Sequence, residues 1–590
     1  MSRRSFLRTL TAGACAATLL REGSGAPGPR RPNVVLILAD DQGWGDLSVH
    51  GNANLKTPNI DSLARDGAIF DRFFVCPVCS PTRAEVLTGR YHPRGGVYST
   101  STGGERLNLD EKTIADAFQA AGYATGAFGK WHNGTQYPYH PMARGFDEYY
   151  GFTSGHWGQY FDPVLDHNGK LVRGKGFIID DLTDHAMDFM TRNKAKPFFC
   201  YIPYNTPHSP FQIPDEYWDR FKGKNLSMLH RSGKDDLDKT RSALALCENI
   251  DWNVGRILKK LDALGIADDT IVLYFSDNGP NGVRWNGDMQ GRKGSTDEGG
   301  VRVPCLVRWP GRIPKGRRIP QIAGAIDLLP TLTAMAGIPT VSTKPLDGKD
   351  VSPLLTTTVT QWPDRTILST WRGRVSVRSQ QYRLDHKGKL FDLTADPGQR
   401  KDIAKAKPDV ARRLKADADT FRAEVLPGNR SDDRPLPVGY PDFPTTLLPA
   451  RDGVPHGQVK RSNRFPNCTF FQNWTGKDDS MTWDIEVATA GSYEAVVLYT
   501  CPEQDVGSTI ELSFNGAALK AKVTEAHDPP LKGMEFERVK RGESYVKDFR
   551  PLPLGTFQFK KGRGPLTLRA LDIAGKTVMD VRSVLLTLQT

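Results

Sequence analysis

Three separated segments of this chain run from an unbroken apolar stretch straight into polar residues: PNVVLILADD (32–41), KPFFCYIPYNTPH (196–208) and DTIVLYFSDNGP (269–280). A short continuous apolar run rich in β-branched and aromatic residues reads as a strand buried on both faces, which is the habit of parallel sheets covered by helices. A fourth segment, TIADAFQAAGYATGAFGKWH (113–132), reads as a helix, a glycine break and a strand that enters a polar loop. In open α/β sheets the binding crevice lies beyond the carboxyl ends of the strands. Four strands are therefore expected to deliver Asp40, Asp41, Lys130, His132, His208, Asp277 and Asn278 to one edge.

The rest of the chain follows in blocks. DDLDKTRSALALCENIDWNVGRILKKLDALG carries Leu246, Ile250, Val254, Ile257, Leu258 and Leu261 at helical spacing and stops at Gly265, with Cys247 expected in the core. Beyond Thr366, TILSTWRG, RVSVRSQ, YRLDHKG and LFDL predict a small antiparallel sheet, capped by a helix over Asp409 to Val425. Residues 427–451, rich in Pro, Asp and Arg, read as a linker. Beyond it, short alternating strands separated by Gly, Asn and Asp predict an all-β sandwich. The expected organisation is an α/β domain over 28–365 with a mostly parallel sheet flanked by helices, a small antiparallel subdomain over 366–426, a linker over 427–451 and a sandwich over 452–590. Trp474, Trp483, Tyr493 and Tyr499 are expected mainly as sandwich core, although the texture of this domain is similar to that of carbohydrate-binding modules.

A net charge of +12 makes an anionic partner reasonable. The charge is dispersed, with only short runs such as GRIPKGRR and RVKRG, and nothing resembles a nucleic-acid module, so no nucleic-acid partner is expected. Eight irregularly spaced cysteines do not make a disulfide scaffold, although Cys468 and Cys501 could pair in an exported domain. The N-terminal stretch MSRRSFLRTLTAGACAATLL resembles a twin-arginine export signal over residues 1–27, which implies a periplasmic or extracellular protein in a bacterium. Cys15 is only loosely lipobox-like, and no other apolar run is long enough for a membrane span.

The stretch CPVCSPTRAEVLTGR (76–90) poses a separate question, because C-x-x-C usually signals zinc or redox chemistry. A zinc site needs a second close pair of thiols or imidazoles, and none is spaced that way. A thioredoxin-like pair would not carry the arginines and glycine that follow. Cys79, Pro81, Arg83, Thr88, Gly89 and Arg90 instead resemble the signature of the type I sulfatases, members of the alkaline phosphatase superfamily, in which the cysteine of C-x-P-x-R is oxidised to formylglycine. The resemblance extends from about Arg31 to Val425: Asp40 and Asp41 after the first strand, the TPNIDSLARDGAIF helix, Gly129-Lys130-Trp131-His132, T-P-H with His208, D-N-G with Asp277 and Asn278, and Lys293 in RKGSTDEGGVRVP.

The resemblance implies a hydrolase of sulfate esters with formylglycine at position 79, a divalent metal held by Asp40, Asp41, Asp277, Asn278 and residue 79, and a formylglycine-generating enzyme as its maturation partner. The all-oxygen side chains of the two acidic pairs favour Ca²⁺, with Mg²⁺ the lesser choice. Cleaving a sulfate ester requires cations around the sulfuryl oxygens, an activated nucleophile and an acid for the leaving group. By resemblance a hydroxyl of the hydrated aldehyde attacks sulfur, aided by Asp277. Arg83, Lys130 and Lys293 neutralise charge, His208 with Lys293 protonates the leaving oxygen, and His132 takes a proton when the aldehyde is regenerated. Arg90 is expected to support the formylglycine turn, and Cys76 to pack beside it.

His156 and Trp157 in SGHWGQYF, with Arg284, Trp285 and Asn286, are candidates for a sugar subsite. The export signal, the basic charge and the appended sandwich point to a sulfated carbohydrate as substrate. Two alternatives stand beside this reading: a formylglycine-dependent phosphodiesterase or phosphonate monoester hydrolase, and a non-catalytic secreted glycan-binding protein.

Overall fold

The computed structural model describes residues 31–359, 361–426 and 432–589. The export-signal expectation and Cys15 lie outside the described residues. No helix among those described is long and apolar enough to cross a membrane.

The four expected strands are Asn33–Ala39, Ala124–Lys130, Phe198–Pro203 and Thr270–Ser276. They lie side by side at the centre of a ten-stranded sheet, and every pairing among them is parallel. Cys305–Arg308 flanks this centre antiparallel on one side, while on the other Glu148–Phe152 extends it in parallel before the antiparallel hairpin Val164–His167/Lys170–Arg173. The apolar runs are continuous because both faces are covered. Val35, Ile37 and Ala39 enter one core, whereas Val34, Leu36 and Leu38 enter the other. The first core packs against Ile178–Asn193 and Leu237–Ala263; in the latter helix Leu246, Ile250, Val254 and Ile257 are wholly buried. Each such burial stabilises by roughly 1.5–3 kcal/mol. The second core packs against Cys79–Thr88, Ile114–Ala120 and Leu328–Ala336.

The strands Ile367–Trp371, Arg374–Arg378, Tyr382–Leu384 and Leu390–Asp392 form an antiparallel sheet closed by the helix Pro408–Val425, as the sequence predicts. The C-terminal region is a sandwich of two six-stranded sheets. Trp474, Trp483, Tyr493 and Tyr499 are buried in its core, so these aromatic rings are packing residues rather than an exposed sugar platform.

Two expectations need correction here. The described part of the segment expected as a linker, residues 432–451, is not a spacer: Leu436–Val438 and Thr445–Pro449 are strands of the two sandwich sheets. Just before them, Asp432 accepts from Arg106 at 3.0 Å, and Arg434 donates to Asn108 at 3.1 Å. The Pro- and Asp-rich composition is used for a charged clasp onto the α/β domain instead of for solvation. Cys468 and Cys501 do not pair. The Cys468 thiol meets the carbonyl of His156 at 3.0 Å in the α/β domain, while Cys501 contacts the Pro502 and Val578 carbonyls inside the sandwich.

Candidate active site

The carboxyl ends of the central strands converge. The Asp40 amide donates to Thr206 O at 3.0 Å, the Asp277 amide to Ala39 O at 3.1 Å and the Asp41 amide to Asp277 Oδ1 at 3.1 Å. These bonds lock three strand ends into one frame. Gly129 has φ 143°, and a Cβ there would fall 2.1 Å from the Pro203 carbonyl oxygen, so only glycine permits this approach just before Lys130. Cys79 is the first residue of the buried helix Cys79–Thr88 and faces the same point. Ligand atoms of Asp40, Cys79 and Asp277 lie within 4.8 Å of one another, as do those of Asp40, Asp41 and His208.

Three oxygens at this point are buried without a hydrogen-bond partner: Asp40 Oδ1, Asp41 Oδ2 and Asn278 Oδ1. An unsatisfied buried acceptor is costly, and three converging on one locus fit a hard divalent cation. Asn278 is oriented for this role, because its Nδ2 donates to Asp41 Oδ1 at 2.8 Å and to Gly279 O at 2.9 Å, leaving Oδ1 free. Burial and the nearby Asp40 push Asp277 up to about 7, against the pull of Arg83. Burial opposes charge on Asp40 as well, but Lys130, His208, Arg83 and Lys293 hold its carboxyl well below the usual range.

The cations take distinct places. Lys130 Nζ lies 2.6 Å from Asp40 Oδ2, and Lys293 Nζ lies 2.6 Å from Asp41 Oδ1. Arg83 is wholly buried: Nη2 donates to Asp277 Oδ2 at 2.8 Å and Nη1 to Lys130 O at 2.7 Å. Its Nε and Nη2 together orient the Asp277 carboxylate.

The histidines present defined lone pairs. A carbonyl can only accept, so the 2.9 Å contact of His132 Nε2 with Thr100 O puts the proton on Nε2. His132 Nδ1 is left buried and unpartnered. Burial and Lys130 keep this ring neutral, well below the ordinary range, and its φ of 67° holds it in the left-handed region. His208 is the reverse case: Nδ1 meets Ser209 O at 2.6 Å, and Nε2 lies 3.7 Å from Asp41 Oδ2. His156 is stacked on His208 with centroids 6.0 Å apart, and burial with the neighbouring His208 pushes it down to about 3.

Residues 32–338 match the family model Sulfatase, just over half of the chain, and residues 293–423 match the model N-sulphoglucosamine sulphohydrolase, C-terminal. The chain belongs to the sulfatase family. Relatives in this family of sulfate-ester hydrolases include human arylsulfatase A, 32% identical over 68% of this chain and 90% of the relative. Another is the N-acetylgalactosamine-6-sulfatase of Canis lupus familiaris, 34% identical over 56% of this chain and 68% of the relative. Among solved structures, Ps i-CgsB in complex with k-i-k-neocarrahexaose is 31% identical and superposes with a TM-score of 0.61, covering 66% of this chain and 93% of that one. The fold is the alkaline-phosphatase-like fold of the sulfatases.

In this sulfatase Cys79, His132, His156, His208 and Lys293 line one open cavity of about 690 Å³. Other candidates lie elsewhere. Trp157 stacks on Phe152 with centroids 5.1 Å apart and lines a separate apolar pocket against the sandwich. Arg284 is buried in a pair with Asp46 at 2.6 Å and donates to Asp41 O at 2.9 Å, so it braces the loop after the first strand instead of meeting sugar. Trp285 packs against Trp44, and Asn286 Nδ2 donates to Gly291 O at 3.3 Å. Arg90 pairs with Glu111 at 3.5 Å beyond the far end of the Cys79 helix and does not touch the Cys79 turn. Cys76 is buried next to Glu85.

Sequence reasoning missed one wall of the cavity. Phe465, Asn467 and residues 539–543 of the sandwich line it, together with Lys239 and the hairpin residues Trp371, Arg372 and Arg374. The RVKRG run was the only local signal of the sandwich's part in it, and nothing in the sequence placed that run beside Cys79.

Proposed function

We propose that this sulfatase hydrolyses sulfate esters of a sulfated carbohydrate, with Cys79 converted to formylglycine and Ca²⁺ at Asp40, Asp41, Asp277 and Asn278. The observation that carries this reading is the placement of Cys79 among Asp40 and Asp277 beside three unsatisfied carboxylate and amide oxygens. An all-oxygen set of this kind suits Ca²⁺ better than a soft metal. The ion would supply Lewis-acid polarisation of the sulfuryl oxygens and of the nucleophile.

The chain's own groups do the remainder. Lys130 and Lys293, already fixed by Asp40 and Asp41, place positive charge where the sulfate oxygens sit. Arg83 holds the Asp277 carboxylate in place. The bare Nδ1 of His132 is the atom prepared to take a proton. His208 Nε2 faces the cavity and gains a proton more readily once the sulfate's negative charge is beside it, which lets it protonate the leaving oxygen. Maturation by a formylglycine-generating enzyme and export to the periplasm or beyond belong to the same proposal.

The test is mass spectrometry of the peptide spanning residues 76–90 from the native host, followed by turnover of nitrophenyl sulfate, nitrophenyl phosphate and a series of sulfated galactans, glycosaminoglycans and fucans. Formylglycine at 79 and preference for sulfate over phosphate are expected. A thiol at that position, or preference for phosphate, overturns the reading.

A further inference from the structure

Four cations at the mouth of the catalytic cavity have no part in the chemistry above. Lys239 opens the helix Leu237–Ala263, Arg372 and Arg374 sit on the turn of the hairpin joining Ile367–Trp371 to Arg374–Arg378, and Lys540 comes from the sandwich. Three stretches of chain, far apart in sequence, thus place positive charge around one opening. Among the described residues, none of the four side chains has a carboxylate partner or donates a hydrogen bond to the protein.

That lack is informative because the other two cations lining this cavity, Lys293 and Arg541, are both paired with carboxylates. Next to Lys540, Arg541 is tied to Glu537 at 3.0 Å and to Gly158 O at 2.6 Å. The two carboxylates in the same wall are engaged elsewhere: Glu543 accepts from the Ser209 hydroxyl, and Asp236 caps the helix by accepting from the Lys239 amide at 3.1 Å. Lys239 is half-buried with its ammonium 6.0 Å from the Phe211 ring centroid, and burial lowers its pKa. A partly desolvated ammonium without a counter-ion is stabilised by any anion that enters. Phe465, exposed to 43%, and Trp371 add aromatic surface in the same cavity, the usual complement of a sugar ring.

The wall is fixed in place. Ile213 N donates to Phe536 O at 3.2 Å, Arg538 N to Phe211 O at 3.0 Å, and the Phe161 and Phe536 rings stack at 3.8 Å. The sandwich loop is thereby joined to the segment that follows His208.

We propose that Lys239, Arg372, Arg374 and Lys540 form a second anion subsite, which binds another sulfate group on the same glycan chain as the ester being cleaved. The sandwich then acts as part of the substrate cleft and not as a separate binding module. This inference rests on the sulfatase reading above. It makes the enzyme selective for multiply sulfated glycans, through Coulombic attraction that salt weakens.

Inhibition of nitrophenyl sulfate hydrolysis tests it, with inorganic sulfate, a singly sulfated heparin tetrasaccharide and a multiply sulfated heparin tetrasaccharide as inhibitors. The multiply sulfated probe should bind about tenfold or more tightly than the singly sulfated one. Lys540→Ala, Arg374→Ala and Arg372→Asn, the last chosen because φ at 372 is 50°, should erase most of that ratio. Their kcat on nitrophenyl sulfate and their inhibition by inorganic sulfate should stay unchanged. Equal inhibition by the two tetrasaccharides, or a ratio untouched by the substitutions, overturns the proposal. If wild-type protein with verified formylglycine turns over no sulfate ester, the sulfatase reading fails instead, and calorimetric binding of the same two tetrasaccharides still decides whether the subsite exists.

Discussion

Lys130 and Asp40 form an ion pair at 2.6 Å with both side chains wholly closed to solvent. Such a pair is sustained by its surroundings: Arg83 lies 3.9 Å from the same carboxylate oxygen, and the other oxygen remains free for a cation. Removing one member leaves a buried charge uncompensated, which costs about 3–5 kcal/mol. Lys130→Ala should therefore lower the Tm and reduce kcat on nitrophenyl sulfate by about 10²-fold or more. Thermal unfolding and steady-state kinetics on the same preparation read both effects. Full turnover in a folded Lys130→Ala protein would remove Lys130 from the sulfate-binding role.

Asn278 separates metal binding from charge balance, because it carries no charge and its free Oδ1 points to the proposed ion. Asn278→Ala should weaken Ca²⁺ binding by at least about tenfold. Treatment of the wild type with a chelator should lower its Tm and abolish turnover, and Ca²⁺ should restore both better than Mg²⁺. Calorimetric titration of chelated protein provides the readout. Identical Ca²⁺ affinity in wild type and Asn278→Ala would place the ion elsewhere.

Glu85 sits inside the helix that begins at Cys79, and burial pushes its carboxyl up to about 8. The folded state keeps a proton that the unfolded chain loses above its ordinary value near 4.5. The sign follows: between about pH 4.5 and 8 the native state binds more protons, so this group makes stability fall as pH rises, by about 3–5 kcal/mol across the window. Glu85→Gln should flatten that slope, so that its Tm gains on the wild type from pH 5 towards pH 8. A Tm-against-pH series on both proteins checks it, and parallel curves would show that Glu85 is ionised throughout.

Arg541 holds the sandwich loop against the α/β domain through Gly158 O and is itself steadied by Glu537 of the same loop. Arg541→Ala should free this loop and speed tryptic cleavage after Arg538 and Lys540. Its cost should be larger on sulfated oligosaccharides than on nitrophenyl sulfate, because the small ester does not reach the wall. Limited proteolysis and paired kinetics measure this. Unchanged trypsin resistance would mean that the Ile213 and Phe211 backbone bonds suffice.

Local sequence determined a great deal in this protein. The continuous apolar runs report burial on both sheet faces, as Val34 and Val35 entering opposite cores confirm, and the polar residues that end those runs do meet at one edge. The residue types at 40, 41, 277 and 278 offered an all-oxygen donor set before any distance was known, and its use for a metal ion belongs to the proposed function. What only the tertiary structure decided is where long side chains and distant loops go. Arg284, Arg90 and Trp157 sit next to promising motifs yet face Asp46, Glu111 and Phe152. Nothing in their neighbours encodes that choice. The same holds for the sandwich, whose Arg541 reaches a carbonyl 383 residues earlier in the chain. Periodicity and motif spacing carry information about conformation and burial over some tens of residues, whereas the wall of a cleft depends on which surfaces pack together once every element has folded.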